Sequence, residues 1–234
     1  MIATDRRLVV SEVFGPTFQG EGPSTGRRAS FVRLGACNLT CRWCDTPYTW
    51  DWLRYPREDL QKRTVQEVLE EVLEHGTSLV VVTGGEPMLQ QEAVVELATR
   101  LWARSERSYD VEVETNGTIE PSDALIDLVT FNVSPKLRGS GVAVRKAIVP
   151  RALHRFADTH RATFKFVVTN EADVAEAAHI RDLLHLDPCY LMPEARDGAE
   201  LDDRLRWLAP LALQEGFDLA TRLHLTLWDG ERGR

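Results

Sequence analysis

Six short runs rich in apolar and β-branched residues recur along the chain, at 28–34, 78–83, 110–115, 131–134, 163–169 and 189–192. Their length and composition suit strands covered on both faces, the usual state of a parallel sheet. Between them the apolar period lengthens to that of a helix. Thr64-Val-Gln-Glu67 reads as a capping box, in which the threonine hydroxyl and the glutamate carboxylate satisfy the exposed amides of a helix start. Val68, Leu69, Val72 and Leu73 then recur on one face, and Gly76 provides the stop. Asn170-Glu-Ala-Asp173 opens another helix in the same manner, and periodic segments near 92–103, 151–158 and 201–214 predict three more. Glu67, Glu70, Glu71 and Glu74 are the solvated side of the first. Strand and helix alternate throughout, so the pattern predicts an α/β fold with about six parallel strands.

At 234 residues and 43% hydrophobic content, the chain can bury a substantial core. No repeat or low-complexity tract divides it, and one domain over 1–234 is expected. No apolar run approaches the length of a membrane span. The formal charge of −8 argues against nucleic-acid binding, which generally needs a basic face. The pairs Arg6-Arg7 and Arg27-Arg28 are too short to change this. Without an apolar leader, and with cysteines suited to a reducing compartment, the expected location is the cytoplasm.

Cysteine placement changes the picture most. Three of the four cysteines fall within eight residues, Cys37-Asn-Leu-Thr-Cys41-Arg-Trp-Cys44. A structural zinc site usually takes four ligands in paired spacings, and His75 and Cys189 complete no such pair. A disulfide would leave one thiol over. Three thiolates on a [4Fe-4S] cube leave one iron without a protein ligand, and a small molecule can bind and react there. Cys189, in an apolar run, reads as a small buried hydrophobe.

Parallel strands joined by right-handed crossovers bring their carboxyl ends to one edge, where open α/β sheets and barrels gather ligands. Gly84-Gly85-Glu86-Pro87, Glu114-Thr-Asn-Gly117, Ser134-Pro135-Lys136 and Met192-Pro193-Glu194 all follow predicted strands. Each alone reads as an ordinary turn. Their repetition at strand ends, together with the cysteine loop after Leu34, points to a shared pocket.

With the Gly84–Pro87 turn, the three-cysteine spacing resembles the radical S-adenosylmethionine enzymes. Finer markers resemble one group within them, the 7-carboxy-7-deazaguanine synthases. These markers are Phe14-Gly-Pro-Thr-Phe-Gln-Gly-Glu-Gly22, Phe31-Val-Arg-Leu-Gly-Ala-Cys37, Trp43-Cys-Asp-Thr-Pro-Tyr48, Glu114-Thr-Asn-Gly117, Ser134-Pro-Lys136 and Leu223-His-Leu-Thr-Leu-Trp228. The resemblance implies a modified, incomplete (β/α) barrel and a homodimer. It also implies reductive cleavage of S-adenosylmethionine to an adenosyl radical. That radical takes hydrogen from 6-carboxy-5,6,7,8-tetrahydropterin, and ring contraction with loss of ammonia gives 7-carboxy-7-deazaguanine, on the way to queuosine or another deazapurine. An electron donor such as a flavodoxin or ferredoxin is implied as well. A radical activase acting on a protein, or a noncatalytic iron-sulfur carrier, would share only part of the marker set.

Residue by residue, the resemblance assigns Cys37, Cys41 and Cys44 to the cluster. Trp43, Cys44, Asp45, Gly85 and Glu86 are expected beside S-adenosylmethionine, as are Ser134, Pro135, Lys136, Met192, Pro193 and Glu194. Phe18, Gln19, Gly20, Arg33, Thr83 and Glu114 match substrate contacts, and Thr46 matches a magnesium ligand. Arg33 is physically apt, because a guanidinium can hold a carboxylate through two parallel hydrogen bonds; the alternative is a structural ion pair. His224 is either a pocket residue or a satisfied core histidine. Trp43, Trp50 and Trp52 either shield the cluster or fill space. By its residues alone Thr46, before Pro47, is a turn residue.

Overall fold

The computed structural model describes residues 5–57, 60–104 and 108–233. Among them, one sheet contains β1 (Arg7–Phe18), β2 (Arg28–Leu34), β3 (Gln61–Thr64), β4 (Leu79–Gly84), β5 (Asp110–Thr115), β6 (Thr130–Val133), β7 (Ala162–Val168), β8 (Cys189–Pro193) and β9 (Asp218–Leu219). Their spatial order is β3-β1-β2-β4-β5-β6-β7-β8-β9. Pairing is parallel from β2 through β9, whereas β1 runs antiparallel to both β2 and β3. With β3 and β9 as separate edges the sheet stays open, an incomplete barrel. All six predicted runs are strands. β1, β3 and β9 lie outside those runs and extend the sheet at its two edges. β1 has apolar residues, Leu8 to Val10 and Val13-Phe14, but Gly15-Pro16 interrupts it, while β3 is short and polar and β9 only two residues long.

The longer helices are α1 (Val65–Glu74), α2 (Gln91–Trp102), α5 (Pro150–Ala157), α6 (Glu171–Leu184) and α7 (Gly198–Glu215). Shorter ones are α3 (Asp123–Ile126), α4 (Val144–Ala147) and α8 (Leu223–Trp228). At α1 the capping box is complete: Glu67 N donates to Thr64 Oγ1 at 3.2 Å, and Thr64 N donates to Glu67 Oε2 at 2.7 Å. The cap of α6 is only half of that motif. Asp173 N donates to Asn170 Oδ1, but the Asp173 carboxylate turns back to accept from Thr169 N and Oγ1.

Strand alternation divides the sheet into two unlike faces. Val32, Leu34, Val80, Val82, Val111, Val113, Phe131, Val133, Phe164 and Phe166 join the large core that includes residues of α1, α2, α5 and α6. The opposite face begins apolar, with Ala29, Phe31, Leu79 and Val81 packed together. Farther across it, the same positions are Glu112, Glu114, Asn132 and Lys165. Polar residues at every second position in an otherwise apolar strand must share one face. That face, and the loops at its carboxyl edge, supply the site.

Candidate active site at the carboxyl edge of the sheet

A cavity of about 950 Å³ opens at this edge, large enough for a cofactor and a small substrate together. The cysteine loop forms one wall. It leaves β2 through Ala36, whose φ of 73° is left-handed. Two hydrogen bonds pin its start to the turn after β4: Gly85 N donates to Leu34 O at 3.0 Å and Glu86 N to Ala36 O at 2.8 Å. A Cβ on Gly85 would stand 2.0 Å from Ala36 O. Glycine is therefore required there by the chain's own backbone, a different reason from the cofactor approach expected for it.

Glu86 also departs from expectation. Its carboxylate is fully buried and faces the protein, accepting from Met88 N, Thr115 Oγ1 and Asn116 N. Burial pushes this carboxyl up, against the pull of those hydrogen bonds. The Gly-Gly-Glu-Pro turn thus ties the cysteine loop to the Glu114–Gly117 turn, and Asn116 Nδ2 completes the tie by donating to Asn38 Oδ1 at 2.8 Å. Glu86, Pro135 and Pro193 do not line the cavity; the other predicted site residues do.

Cys37, Cys41 and Cys44 are half-buried free thiols facing the cavity. Burial pushes the Cys37 thiol up to about 11 and raises Cys41 as well. Leu39 N donates to Cys37 Sγ and Trp50 Nε1 to Cys44 Sγ, each at 3.4 Å. Among the described residues, no three His, Cys, Asp or Glu side chains are placed to hold a metal ion. A cubane asks for something else, because it presents a separate iron to each thiolate. Soft sulfur donors, with N–H groups aimed at two of them, fit an iron-sulfur cluster. His75 bonds Ser30 Oγ, and Cys189 donates to Leu186 O, so neither joins the loop.

Beside the loop, Lys136 donates to Ser134 Oγ at 2.8 Å and lies 5.5 Å from the Trp43 ring centroid. Trp43 packs with Val167, Met192 and Ala220, and its indole Nε1 is buried without a hydrogen-bond partner among the described residues. Trp43 and Trp50 line the cavity, while Trp52 does not and stacks under Arg57. The Thr46 carbonyl accepts from Thr49 and starts a turn, yet the residue lines the cavity, with its hydroxyl 3.8 Å from Cys44 Sγ. Glu194 pairs with Arg204 at 3.5 Å.

The facing wall is ionic. Glu114 accepts from Thr83 Oγ1 at 2.7 Å and from Gln19 Nε2 at 3.1 Å. Glu21 bonds Lys165 through one oxygen and Arg222 Nε, at 3.0 Å, through the other. Arg222 continues to Asp45 at 2.5 Å and to Ala195 O at 2.6 Å, so every group in the chain of contacts has a partner. Burial alone would raise the Glu21 carboxyl, but Lys165, Arg222 and His224 together hold it well below the carboxylate range. His224 packs against Gly20 so closely that a Cβ there would meet its Nδ1 at 2.2 Å. Burial lowers this histidine, against the pull of Glu21.

Glu12, behind the lining, gathers three donors from cavity residues: Arg33 Nε at 2.6 Å, Tyr48 Oη at 3.0 Å and Arg232 Nε at 3.0 Å. Arg33 is thus an ion-pair partner and a cavity residue at once. Phe18 stacks on Trp228 at 6.2 Å, and the tail that follows α8 lines the cavity from Gly230 to Gly233. Glu12, Glu21, Lys165 and Arg222 were not singled out from the sequence. For Lys165 a signal existed: a lone charge at the inward position of Thr-Phe-Lys-Phe-Val, inside a strand.

Residues 32–137 match the Radical SAM superfamily. The 7-carboxy-7-deazaguanine synthase of Pyrobaculum aerophilum is 36% identical over 97% of this chain and 98% of its own. The chain belongs to the 7-carboxy-7-deazaguanine synthase family. Another member, from Halobacterium salinarum, is 38% identical over 95% of this chain and 91% of its own. The crystal structure of QueE from Escherichia coli, 24% identical, covers 93% of this chain and 95% of its own with a TM-score of 0.70, and shares the fold. This family is a radical S-adenosylmethionine family, which implies a [4Fe-4S] cluster and S-adenosylmethionine. No helix of the described residues is long and apolar enough to cross a membrane.

Proposed function

We propose that this chain converts 6-carboxy-5,6,7,8-tetrahydropterin to 7-carboxy-7-deazaguanine with loss of ammonia, a radical carbon-nitrogen lyase reaction. The observation that carries this is the meeting of a three-thiol loop and a polar wall in one cavity. When bound, the cluster and S-adenosylmethionine supply a 5′-deoxyadenosyl radical for hydrogen abstraction. Cys37, Cys41 and Cys44 hold the cluster. Trp43, Asp45, Gly85, Ser134, Lys136, Met192 and Glu194 flank the cofactor, with Lys136 offering a cation to its carboxylate.

Phe18, Gln19, Gly20, Thr83 and His224 contact the substrate. Arg33 attracts its carboxylate, while Nε stays on Glu12. Glu114, oriented by Gln19 and Thr83, retains lone pairs for N–H donors of the pterin ring. Thr46 contributes an oxygen to magnesium shared with the substrate, since that ion prefers hard donors and keeps several waters. The enzyme works as a homodimer in the cytoplasm, reduced by a flavodoxin or ferredoxin.

The test is anaerobic reconstitution with iron and sulfide, followed by incubation with the carboxytetrahydropterin, S-adenosylmethionine, magnesium and dithionite. A product with the mass of 7-carboxy-7-deazaguanine is expected. A chain that takes up iron but leaves S-adenosylmethionine intact would be a carrier, and hydrogen transfer to a protein would mark an activase.

A further inference from the structure

Asn132 lines the cavity, and neither its sequence context nor any role described above accounts for an amide there. Its neighbours in β6, Phe131 and Val133, belong to the core, while Asn132 itself takes the polar face and is only 5% exposed. In the register of β5 with β6 it stands opposite Glu114, another cavity residue. Neighbouring strands are about 4.8 Å apart, so the two side chains lie side by side. The amide is held in one orientation. Nδ2 donates to Glu112 Oε2 at 3.1 Å, and the other Glu112 oxygen accepts from Ser24 Oγ. With its NH2 committed to that carboxyl group, the amide turns its carbonyl away. Oδ1 takes no hydrogen bond among the described residues, yet it is not sealed in the interior. Gly22 leaves it uncovered, since a Cβ there would lie 3.5 Å from Oδ1. Glu114, beside it, has one oxygen on Gln19 and the other on Thr83. The polar face therefore offers the cavity two adjacent acceptors.

We propose that Asn132 is a specificity-determining residue for the pterin, its carbonyl accepting from the 2-amino group while Glu114 accepts from the adjacent ring N–H. The inference rests on the carboxytetrahydropterin reading above. A 2-amino-4-oxo ring edge presents two neighbouring N–H donors, and two neighbouring acceptors match them one to one. Gln19 and Thr83 each take up one lone-pair direction on Glu114, and Asn132 completes the edge. Glu112 and Ser24 are positioning residues, because they act on the substrate only through the amide they hold. An analogue with oxygen in place of the 2-amino group would set carbonyl against carbonyl and leave both without a donor. A site built around a donor rejects a ligand that lacks it.

The test uses the reconstituted holoenzyme with saturating S-adenosylmethionine and magnesium. It compares the KM for the carboxytetrahydropterin with the inhibition constant of 6-carboxy-5,6,7,8-tetrahydrolumazine, which carries oxygen at position 2. In wild type the analogue should bind at least about tenfold more weakly than the pterin. Asn132→Leu should raise the pterin KM about tenfold, change kcat less, and leave the analogue's constant near wild type, so that the preference narrows. Asn132→Ser, too short to reach the ring, should narrow it in the same way if leucine does not fit. Glu112→Leu, which releases the amide without touching substrate, should narrow it by a smaller factor. Iron content and S-adenosylmethionine binding should match wild type in all three. Equal weakening of pterin and analogue would make Asn132 a structural residue only, and an unchanged preference in both Asn132 variants would overturn the contact outright. A wild-type enzyme that cleaves S-adenosylmethionine but releases no deazaguanine product would overturn the pterin reading, and this contact with it.

Discussion

The cysteine loop and the wall formed by Glu21, Lys165 and Arg222 face the same cavity and treat their polar atoms in opposite ways. Across the wall, carboxylates and cations answer one another: Glu21 takes Lys165 and Arg222, and Arg222 takes Asp45 and a carbonyl. On the loop, Cys37 and Cys44 each receive one long N–H contact, and burial raises Cys37 and Cys41 away from the thiolate form. The wall is organised by the polypeptide itself. The loop is held in place from behind, by Gly85, Glu86 and Asn116, with its sulfurs facing the cavity. Substitutions in the two regions should therefore fail differently.

The largest effect should come from the loop. Alanine at Cys37, Cys41 or Cys44 should abolish cluster assembly and all cleavage of S-adenosylmethionine, because two thiolates cannot hold the cube with its open iron. Iron and sulfide analysis reads the first and methionine release the second. Cys189→Ala should keep both. Loss of the cluster only in Cys189→Ala would reverse the ligand assignment.

In the wall the damage should be to folding. Lys165→Met leaves Glu21 with one cation fewer in a buried site and should cost about 3–5 kcal/mol in urea unfolding of the iron-free chain. Adding Glu21→Gln should recover part of that loss. The pH dependence has a defined sign. The folded Glu21 carboxyl lies below its ordinary value of 4.5, so its stabilisation is complete above that pH and is lost as pH falls below it. Glu21→Gln should show a shallower loss of stability on acidification than wild type. Equal slopes would mean the wall is not what these ion pairs stabilise.

Gly85→Val strikes the loop from behind. Its side chain would meet Ala36 O, so a loss of about 1–3 kcal/mol is expected, with reduced iron uptake even before S-adenosylmethionine is added. Normal cluster content with only cofactor binding impaired would restore the cofactor-approach role for this glycine. The smallest structural effect belongs to Thr46→Val, which keeps the branched shape. Stability should change by no more than about 0.5 kcal/mol while the response of turnover to magnesium weakens. An identical magnesium titration would remove Thr46 from the metal site.

The sequence was legible wherever burial imposed a pattern. Strands such as Leu79–Gly84 read clearly because both faces are covered, and Thr64 with Glu67 announced α1. β3 is Gln-Lys-Arg-Thr, held by backbone pairing to β1, so no apolar period could mark it. β1 carries register shifts at Val10/Glu12 and Phe14/Thr17, which blur its alternation. The loop chemistry was equally plain, since three cysteines in eight residues leave few readings. The ionic wall was not. Lys165 and Arg222 lie 144 and 201 positions from Glu21 along the chain, and only the tertiary fold brings the three together. Glu86 was misplaced for a related reason, because a turn motif does not say which side of the turn its carboxylate faces.

The central claim is that the loop holds a four-iron cluster whose one iron remains open to the cavity. Electron paramagnetic resonance of the reconstituted, dithionite-reduced chain tests it most directly. A reduced four-iron signal is expected, one that shifts when S-adenosylmethionine is added and disappears in Cys37→Ala. A signal identical with and without S-adenosylmethionine, or a chain that binds zinc and assembles no iron centre, would contradict it.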